Sequence, residues 1–433
     1  MNMINVRRLA VMTFLGAGML SDISAQDFSL QADTLNEARL PAQWDLQSCI
    51  DYALEQNITI RKNRVTAEST QINVKTAKAA LFPSLSFSTS QQVVNRPYQE
   101  TSSRVSGSEI ISSNSKTSYN GNYGLNASWT IYNGSKRLKT LKQERLNNQV
   151  AELDVATSEN TIKESIAQIY IQILYAAESV RVNENTLQVS IAQRDRGQEL
   201  LNAGSIAKSD FAQLEAQVST DRYQLVTAQA TLQDYKLQLK QLLELDGENE
   251  MNVYLPKLSD ENVLAPLPAK KDVYVSALAI RPEIEASKLN VEASELGIDI
   301  AKSSYFPTIS LSAGIGTNHT SGSDFTFGEQ VKNGWNNSIG LSVSVPIFNN
   351  RQTKSAVQKA KLQRETDMLS LLDEQKALYK TIESLWLDAN SAQQRYAAAN
   401  EKLRSTQISY DLISEQFNLG MKNTVELLTE KNN

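Results

Sequence analysis

Residues 301–312 read AKSSYFPTISLS and repeat, 224 positions later, the pattern of residues 77–88, which read AKAALFPSLSFS. In both stretches a segment with Ala and Lys runs into a Phe-Pro pair, and Ser or Thr then alternates with apolar residues. Proline fixes its own φ and lacks a backbone N–H, so it ends a helix and is tolerated at the start of a strand. The pattern therefore predicts two equivalent helix-to-strand transitions in one chain.

The similarity continues downstream of both transitions. Residues 125–133 (LNASWTIYN) match residues 341–349 (LSVSVPIFN), and residues 201–204 (LNAG) match residues 417–420 (FNLG), both 216 positions apart. Because the offset falls from 224 to 216, one insertion or deletion lies between the Phe-Pro motif and residue 125 or its counterpart. Self-similarity of this kind indicates a tandem duplication with one variable loop in each copy.

Apolar residues recur with a period of two after each Phe-Pro pair. In residues 119–131, Tyr, Leu, Ala, Trp and Ile alternate with Asn, Gly, Ser and Thr, and residues 338–345 alternate Ser or Gly with Ile, Leu and Val. This alternation is typical of a transmembrane β-strand, apolar towards lipid and polar towards a lumen. A one-sided soluble sheet gives the same pattern. The polar spacers 95–116 and 318–334 fit long exposed loops between such strands.

Long helices are predicted beyond the strands. Residues 135–202 contain no Pro and a single Gly, and apolar residues recur there every seven positions, as they also do in 211–242 and 371–417. Sustained heptads favour coiled-coil packing over an ordinary core helix. At 1.5 Å per residue, the first of these helices would be about 100 Å long.

Composition excludes several functional classes. The chain of 433 residues has 17 Gly, 9 Pro, a net charge of −5 and a mean hydropathy of −0.37. A single cysteine (Cys49) excludes an intrachain disulfide framework, and a single histidine (His319) excludes paired-histidine metal sites. No nucleotide-binding or hydrolase motif is present in the sequence. We therefore expect no catalytic residue, no cofactor, no metal site and no binding to nucleic acid.

The N-terminus has the pattern of a secretory signal peptide. Arg7 and Arg8 precede an apolar stretch at residues 9–20, and small residues end at Ala25. We predict cleavage after residue 25, and we expect no lipid anchor because the new N-terminus would be Gln26 and not a cysteine. No other stretch reaches 18 consecutive apolar residues, so no transmembrane helix is predicted.

Four predicted strands cannot form a closed barrel, and open sheet edges are not tolerated in lipid. Two chains would supply eight strands and a barrel filled by side chains, and three chains would supply twelve strands and room for water.

The duplicated Phe-Pro motif, the strand that leads into a long helix and the paired LNAG and FNLG turns resemble TolC-type outer-membrane efflux proteins. The resemblance covers about residues 44–433, and the segment around Cys49 resembles the first helix of Bacteroidetes-like members. It implies a mainly α fold with a transmembrane β-barrel part: a homotrimer with a 12-stranded barrel and a long α-helical coiled-coil tunnel in the periplasm. It also implies a periplasmic adaptor protein, an inner-membrane transporter and outer-membrane lipid as partners.

The predicted organisation has five parts. They are the signal peptide (1–25), a polar extension (26–43), repeat 1 (44–247), a linker (248–271) and repeat 2 (272–433). Within the repeats we predict one entry helix each before the first strand, strands at about 84–95, 118–131, 308–317 and 335–346, long helices at 135–202 and 351–419, and return helices at 205–245 and 421–433. The second return helix is expected to be about 30 residues shorter than the first, as if the sequence were truncated or the second hairpin were open on one side.

The resemblance also implies roles for individual residues. Asp210 and Lys422 match an acidic and a basic position of a latch that closes the periplasmic end, and Phe417 replaces a latch tyrosine. Glu426 and Thr429 match two carboxylate positions that narrow the pore, of which only Glu426 keeps the charge. Gly204 and Gly420 mark hairpin tips expected to contact the adaptor. Residues expected at the membrane interfaces are Trp129, Trp335, Tyr119 and Tyr132.

The sequence thus predicts a passive outer-membrane exit duct of a tripartite efflux or type I secretion system. The alternative is an exported coiled-coil protein with a structural or adhesive role that does not span the membrane. Because a passive duct does not select its cargo, the sequence leaves drug, metal and protein substrates open.

Overall fold

The structure is a computed structural model that describes residues 41, 43–98, 102–106, 109–113, 116–245, 251–256, 263–321, 323 and 325–433. For residues 102–106 and 109–113 only the backbone is considered. The predicted signal peptide (1–25), the extension up to residue 40 and parts of the predicted linker lie outside the described residues.

The first repeat is built from four helices and four strands among the described residues. In chain order these are α1 (Leu46–Gln56), α2 (Ile58–Ala79), β1 (Ser84–Asn95), β2 (Ser102–Ser106), β3 (Glu109–Ser113), β4 (Thr117–Asn133), α3 (Lys136–Asn202) and α4 (Lys208–Leu242).

The second repeat follows the same plan. Its elements are α5 (Lys270–Ile280), α6 (Pro282–Ser303), β5 (Thr308–Thr320), α7 (Phe327–Asn333), β6 (Asn336–Ser344), α8 (Gln352–Asn418) and α9 (Thr424–Asn432). Helices α3 and α8 each contain 67 residues, which corresponds to a length of about 100 Å.

The entry helix of each repeat is divided in two, where the sequence indicated one helix. Asn57 ends α1 in an extended conformation, and its side chain accepts a hydrogen bond from the N–H of Thr59 (2.9 Å) to start α2. At the equivalent place Arg281 is extended and Pro282 occupies the first turn of α6. An Asn cap and an N-terminal Pro are both helix-start signals, so the same break arises from two different residues.

Both polar spacers contain regular structure, although exposed loops were expected there. In the first, β2 and β3 form an antiparallel hairpin. In the second, Thr326 and Glu329 cap α7 reciprocally: the Glu329 carboxylate accepts from the N–H of Thr326 (2.8 Å), and the Thr326 hydroxyl accepts from the N–H of Glu329 (3.4 Å). The sequence TFGE therefore carries a capping box inside the spacer.

The four long strands form one antiparallel sheet in the order β1-β4-β5-β6. Its central pairing joins β4 of the first repeat to β5 of the second, with an irregularity between Thr130 and Tyr132. Strands β1 and β6 therefore form the two edges of this sheet, and each pairs with a single described strand.

Sharp turns connect the sheet to the long helices. Gly134 and Ser135 precede α3 with φ values of 66° and 63°, and Asn350 and Arg351 precede α8 with values of 50° and 65°. A Cβ at residue 134 would lie 2.6 Å from the carbonyl oxygen of Ser303, so glycine allows the end of α6 to pack against this turn. The two turns are equivalent in the duplication, 216 residues apart.

The main apolar core of the described residues lies halfway along α3. It joins the start of repeat 1 to α3, to the end of α4 and to residues 251–253, where Val253 forms a parallel bridge with Trp44. Cys49 is fully buried in it, and burial raises the pKa of its thiol to about 12. The buried members are Trp44, Cys49, Ala53, Ile166, Tyr170, Ile173, Leu239, Leu243, Met251 and Val253.

Candidate functional site

The sheet has one apolar face and one polar face. Directly paired residues share a face, and the register aligns Phe87 with Leu125, Leu125 with Ile315, and Leu341 with Leu311. The opposite face consists of small polar residues and glycine, such as Ser86 opposite Asn126 and Ser312 opposite Gly340. Further apolar members are Leu85, Ala127, Trp129, Ala313, Ile339 and Val343.

The apolar face is exposed in the isolated chain. Phe87 is 68% exposed, Leu341 is 65% exposed and Ile339 is 78% exposed. A contiguous apolar surface of this kind marks contact with a partner or with lipid. The alternation expected from the sequence is thus present as one continuous two-sided sheet.

The four predicted interface aromatics lie at opposite ends of the sheet. Trp129 and Tyr132 are near the helical end, where the Trp129 indole N–H donates to the carbonyl of Leu81 (2.8 Å). Tyr119 and Trp335 are at the loop end, where the Tyr119 hydroxyl donates to Oε1 of Gln91 (2.6 Å). The structure therefore separates them into two pairs, one at each end of the sheet.

His319 lies at the loop end of β5 among aromatic rings. Its ring centroid is 5.2 Å from that of Tyr119, 5.8 Å from that of Tyr123 and 5.0 Å from that of Phe327. A Cβ on the paired Gly121 would lie 2.1 Å from the imidazole, so glycine makes room for it. These contacts describe a packed side chain beside the short helix α7.

The helical hairpins end in two matching turns. Gly204 and Gly420 both have φ of 73°, and no atom lies within 4 Å of the Cβ that either would carry. The N–H groups of Ser205 and Met421 donate to the carbonyls of Leu200 (2.8 Å) and Gln416 (2.8 Å), which closes both helix ends in the Schellman manner. Both turns therefore need glycine for the left-handed backbone conformation and not because a side chain would lack space.

The predicted latch residues surround these turns, but the protomer does not bring Asp210 and Lys422 together. The Asp210 carboxylate accepts from the N–H of Ala207 (3.4 Å) at the start of α4. Lys422 instead forms an exposed ion pair with Glu426, one turn further along α9. The uncharged Thr429 side chain donates its hydroxyl to the carbonyl of Val425 (2.7 Å), within its own helix.

Phe417 holds the two hairpins together at their tips. It is 2% exposed and packs with Leu214 of α4 and Leu427 of α9. Gly197 lets α3 approach α4 closely, since a Cβ there would lie 2.3 Å from Cδ1 of Leu214. The structure thus gives Phe417 an apolar packing role where the resemblance had suggested a lost hydroxyl.

A buried ion pair that was not predicted from the sequence lies between α4 and α9, further from the tips than Phe417. Nζ of Lys431 on α9 is 2.5 Å from Oδ2 of Asp221 on α4, and both side chains are less than 10% exposed. The hydroxyl of Ser190 on α3 contacts both charged groups, and Nε2 of Gln217 donates to Oδ1 of Asp221 (2.9 Å). We call Ser190, Asp221 and Lys431 the buried lock, because it joins three helices from both hairpins.

The heptad pattern contains a signal for this lock. The row of α4 that includes Leu214, Tyr235 and Leu242 is spaced by seven residues and passes through position 221, where an aspartate replaces an apolar residue. A charge in an apolar row predicts a buried partner, because an unpaired buried charge is costly. Its partner could not be identified from spacing, since Lys431 belongs to the other repeat.

The described residues lack two further features. No helix among them is both long enough and apolar enough to cross a membrane. Within the same part of the chain, no group of three or more His, Cys, Asp or Glu side chains is arranged to hold a metal ion.

Comparison with known proteins identifies the family. The pattern of the family described as outer membrane efflux protein matches residues 49–244 and 273–432, and so covers both repeats. The sequence is 26% identical over 276 residues to the outer membrane efflux protein BepC of Brucella suis, which covers 63% of this chain and 57% of BepC. It is 23% identical over 398 residues to the outer membrane protein TolC of Escherichia coli, covering 89% of this chain and 76% of TolC.

The fold also matches a solved structure. The crystal structure of the outer membrane protein VceC from Vibrio cholerae superposes with a TM-score of 0.74 at 16% identity, over 89% of each chain. At this identity the likeness shows the fold alone. Because the family pattern matches both repeats, the chain belongs to the outer membrane efflux protein family.

Proposed function

We propose that this chain is one subunit of a homotrimeric exit duct in the outer membrane, which carries cargo passively and closes at its periplasmic helical end. The observation that carries the proposal is the open four-stranded sheet, apolar on one face and lined with Ser, Gly and Asn on the other, continuous with two helical hairpins. The family is one of channel proteins and not of enzymes.

Closure of the sheet requires other copies of the chain. In lipid, the free backbone groups along β1 and β6 would each cost several kcal/mol without a partner. Pairing β6 of one copy with β1 of the next satisfies them and closes a barrel. Three copies give twelve strands, and the small residues on the inner face leave space for water.

The gate is proposed at the hairpin tips. Lys422 lies in the turn just before α9 and is paired with Glu426, so it can exchange that partner for Asp210 when the hairpins of neighbouring copies are drawn together. Glu426 would then face the pore with Thr429 one turn further on, giving one carboxylate per subunit at that level. The buried lock and Phe417 would move with the tip as a unit.

The tips are also the proposed contact for a periplasmic adaptor, through which an inner-membrane transporter would deliver cargo. Beside Gly420, Leu419 is 73% exposed and Met421 is 72% exposed, although both are apolar. Exposed apolar residues at a rigid turn suit a helical partner that packs end to end with it.

Single-channel recording in planar bilayers tests the duct and its gate. We expect discrete conductance steps from the wild-type chain and an open probability about twofold to fivefold higher for Asp210→Ala, since an exposed ion pair contributes about 0–1 kcal/mol. Asp388→Ala, which removes an exposed carboxylate of α8, is the matched control and should behave as wild type. An unchanged open probability in Asp210→Ala would contradict the latch, and absence of conductance would contradict the duct.

Fractionation separates the duct from the alternative. An outer-membrane barrel should sediment with that membrane and change its gel migration on heating. A chain recovered in the soluble periplasmic fraction would support the exported coiled-coil protein instead.

A further inference from the structure

Basic residues are concentrated where the helices meet the sheet. The last six residues of α2 and α6, and the N-cap and first four residues of α3 and α8, contain eight basic residues and one acidic residue. The whole chain has 43 basic and 48 acidic residues, so this excess is local. We call the eight residues the basic collar: Lys75, Lys78, Lys136, Arg137, Lys139, Lys302, Arg351 and Lys354.

Most of the collar has no acidic partner in the part of the chain that the structure describes. The one acidic residue, Asp299, is taken by Lys302 (Nζ to Oδ1, 3.2 Å) and Lys139 (Nζ to Oδ2, 3.7 Å). Arg137 donates to the carbonyl of Thr130. The remaining five are exposed and form no ion pair with a described residue: Lys75, Lys78, Lys136, Arg351 and Lys354.

The helix dipole favours Lys78 and Lys302, which lie in the last turns of α2 and α6, but it does not explain the basic residues at the start of α3 and α8. Helix N-termini favour acidic side chains, because the backbone dipole is positive there. Helices α3 and α8 have no acidic residue in their first turns, and Lys136, Arg137 and Lys354 occupy those turns instead. An external anion would offset the repulsion that this placement creates.

The collar lies beside exposed aromatic and aliphatic residues at the helical end of the sheet. Phe82 and Phe306 of the Phe-Pro motifs are both more than half exposed, and Ile347 and Phe348 are more exposed still. Lys136 and Arg137 line a cleft of about 230 Å³ with Ala77, Ala80, Asn133 and Thr140. That volume is several times the roughly 30 Å³ of a water molecule and admits a phosphate group.

We propose that the basic collar binds the phosphate headgroups of anionic phospholipids in the periplasmic leaflet. This rests on the proposed function, which places the sheet in the outer membrane. Four residues of helix extend about 6 Å beyond the sheet, which is the depth of a headgroup layer of roughly 5–8 Å next to the hydrocarbon. Basic residues next to aromatic ones at that level match the charge and polarity of the layer.

Quenching of Trp129 fluorescence by brominated lipids tests the proposal. The Trp129 indole donates to the carbonyl of Leu81, three residues after Lys78. With Trp335→Phe, the other two tryptophans are Trp44 in the main core and Trp386 of α8, both away from the sheet. In that background the full chain is reconstituted with phosphatidylethanolamine and either brominated phosphatidylglycerol or brominated phosphatidylethanolamine. We expect association with phosphatidylglycerol to be about fivefold stronger, which corresponds to about 1 kcal/mol in total.

A triple variant and a matched control isolate the collar. The triple variant Lys136→Gln, Arg351→Gln and Lys354→Gln should bind phosphatidylglycerol and phosphatidylethanolamine about equally. Lys376→Gln, Lys380→Gln and Lys402→Gln remove the same charge from exposed positions further along α8 and should keep the wild-type preference. Equal preferences in the two triple variants, or none in the wild type, would overturn the proposal.

Two further measurements identify the source of the anion and keep the two proposals separate. If inorganic phosphate binds the wild-type chain but not the triple collar variant, while the wild type shows no preference for phosphatidylglycerol, the collar binds free phosphate and the lipid assignment is wrong. If brominated phosphatidylethanolamine does not quench Trp129 at all, the sheet is not in lipid and the proposed function fails. If Trp129 is quenched and the chain conducts, but phosphatidylglycerol is not preferred, lipid binding by the collar is overturned and the proposed duct stands.

Discussion

The two long helices have the same length and the same repeat position but very different surroundings. Helix α3 has ten buried residues, whereas α8 has two, Thr353 and Phe417. In repeat 1, α4 lies along α3 for 35 residues, while α9 contributes nine residues beside α8. A heptad row therefore predicts a helix reliably, but its burial depends on which segment lies beside it. Within the described protomer, the apolar row of α8 is largely exposed.

The strongest test of this comparison removes the buried lock, which attaches the short α9 to the better-packed hairpin. Lys431→Ala leaves Asp221 charged, buried and unpaired, a change that costs about 3–5 kcal/mol. We expect amide hydrogen exchange in α9 to become at least 100-fold faster. In the double variant Asp221→Asn with Lys431→Met much of the protection should return, because no buried charge is left. Unchanged protection in Lys431→Ala would show that α9 is held by apolar contacts alone.

Equivalent truncations on the two long helices sharpen the comparison directly. Ile173 of α3 is fully buried, and Leu385 of α8 is 62% exposed. We expect Ile173→Ala to lower the free energy of unfolding by about 2–5 kcal/mol and Leu385→Ala by less than about 1 kcal/mol. Chemical denaturation of the detergent-solubilised chain, followed by circular dichroism, measures both. Equal losses would mean that another copy of the chain covers the α8 row as fully as α4 covers α3.

The contrast between the two repeats should disappear at the hairpin turns, because Gly204 and Gly420 have the same backbone conformation. Gly204→Ala and Gly420→Ala each force alanine into a left-handed conformation, so each should cost about 1–2 kcal/mol. Gly328→Ala is the matched control, because its Cβ would also meet no atom within 4 Å and its φ is not in the left-handed range. It should be neutral or slightly stabilising. Thermal unfolding of the three variants compares them. A cost confined to one hairpin would show that the turns are not equivalent.

The smallest effect is expected for Lys422, the exposed counterpart of Lys431. The side chains of this ion pair are 36% exposed at Lys422 and 40% exposed at Glu426, so Lys422→Ala should change the free energy of unfolding by less than about 1 kcal/mol. High salt should remove even this difference. A loss as large as that of Lys431→Ala would place Lys422 in a desolvated contact. The proposed gate would then have a much stronger latch than two exposed side chains provide.

The sequence predicted those parts of the fold that depend on residues close together in the chain. Alternation in residues 119–131 and heptads in residues 135–202 each specify one element, and the structure has β4 and α3 there. The interruption at Asn57 and the capping box at Thr326 were also local signals, but they were short and lay inside segments assigned as helix and loop. The partner of Asp221 lies 210 residues away, and spacing within a helix contains no information about it.

The same distinction applies to the candidate site. The glycines of both turns were predictable because a repeated LNAG or FNLG stretch signals a helix C-terminus. The absence of a hydroxyl contact at Phe417 was expected from the sequence. Its packing against Leu214 was not, because the two residues lie in different repeats and only the structure brings them together. The Lys422–Glu426 pair has an ordinary four-residue spacing and could have been proposed from the sequence alone.

The pairing of β4 with β5 has a consequence for symmetry. By the duplication, β1 is equivalent to β5 and β4 to β6, so the β4–β5 contact is the internal copy of the contact that closes the proposed ring. Ala127 opposite Ala313 then corresponds to Val343 opposite the partner subunit's Thr89. Three such subunits would form a ring with six nearly identical seams, three within chains and three between them. A single-repeat ancestor could have built the same ring as a hexamer, and fusion of two copies would have converted half of its subunit interfaces into chain interior.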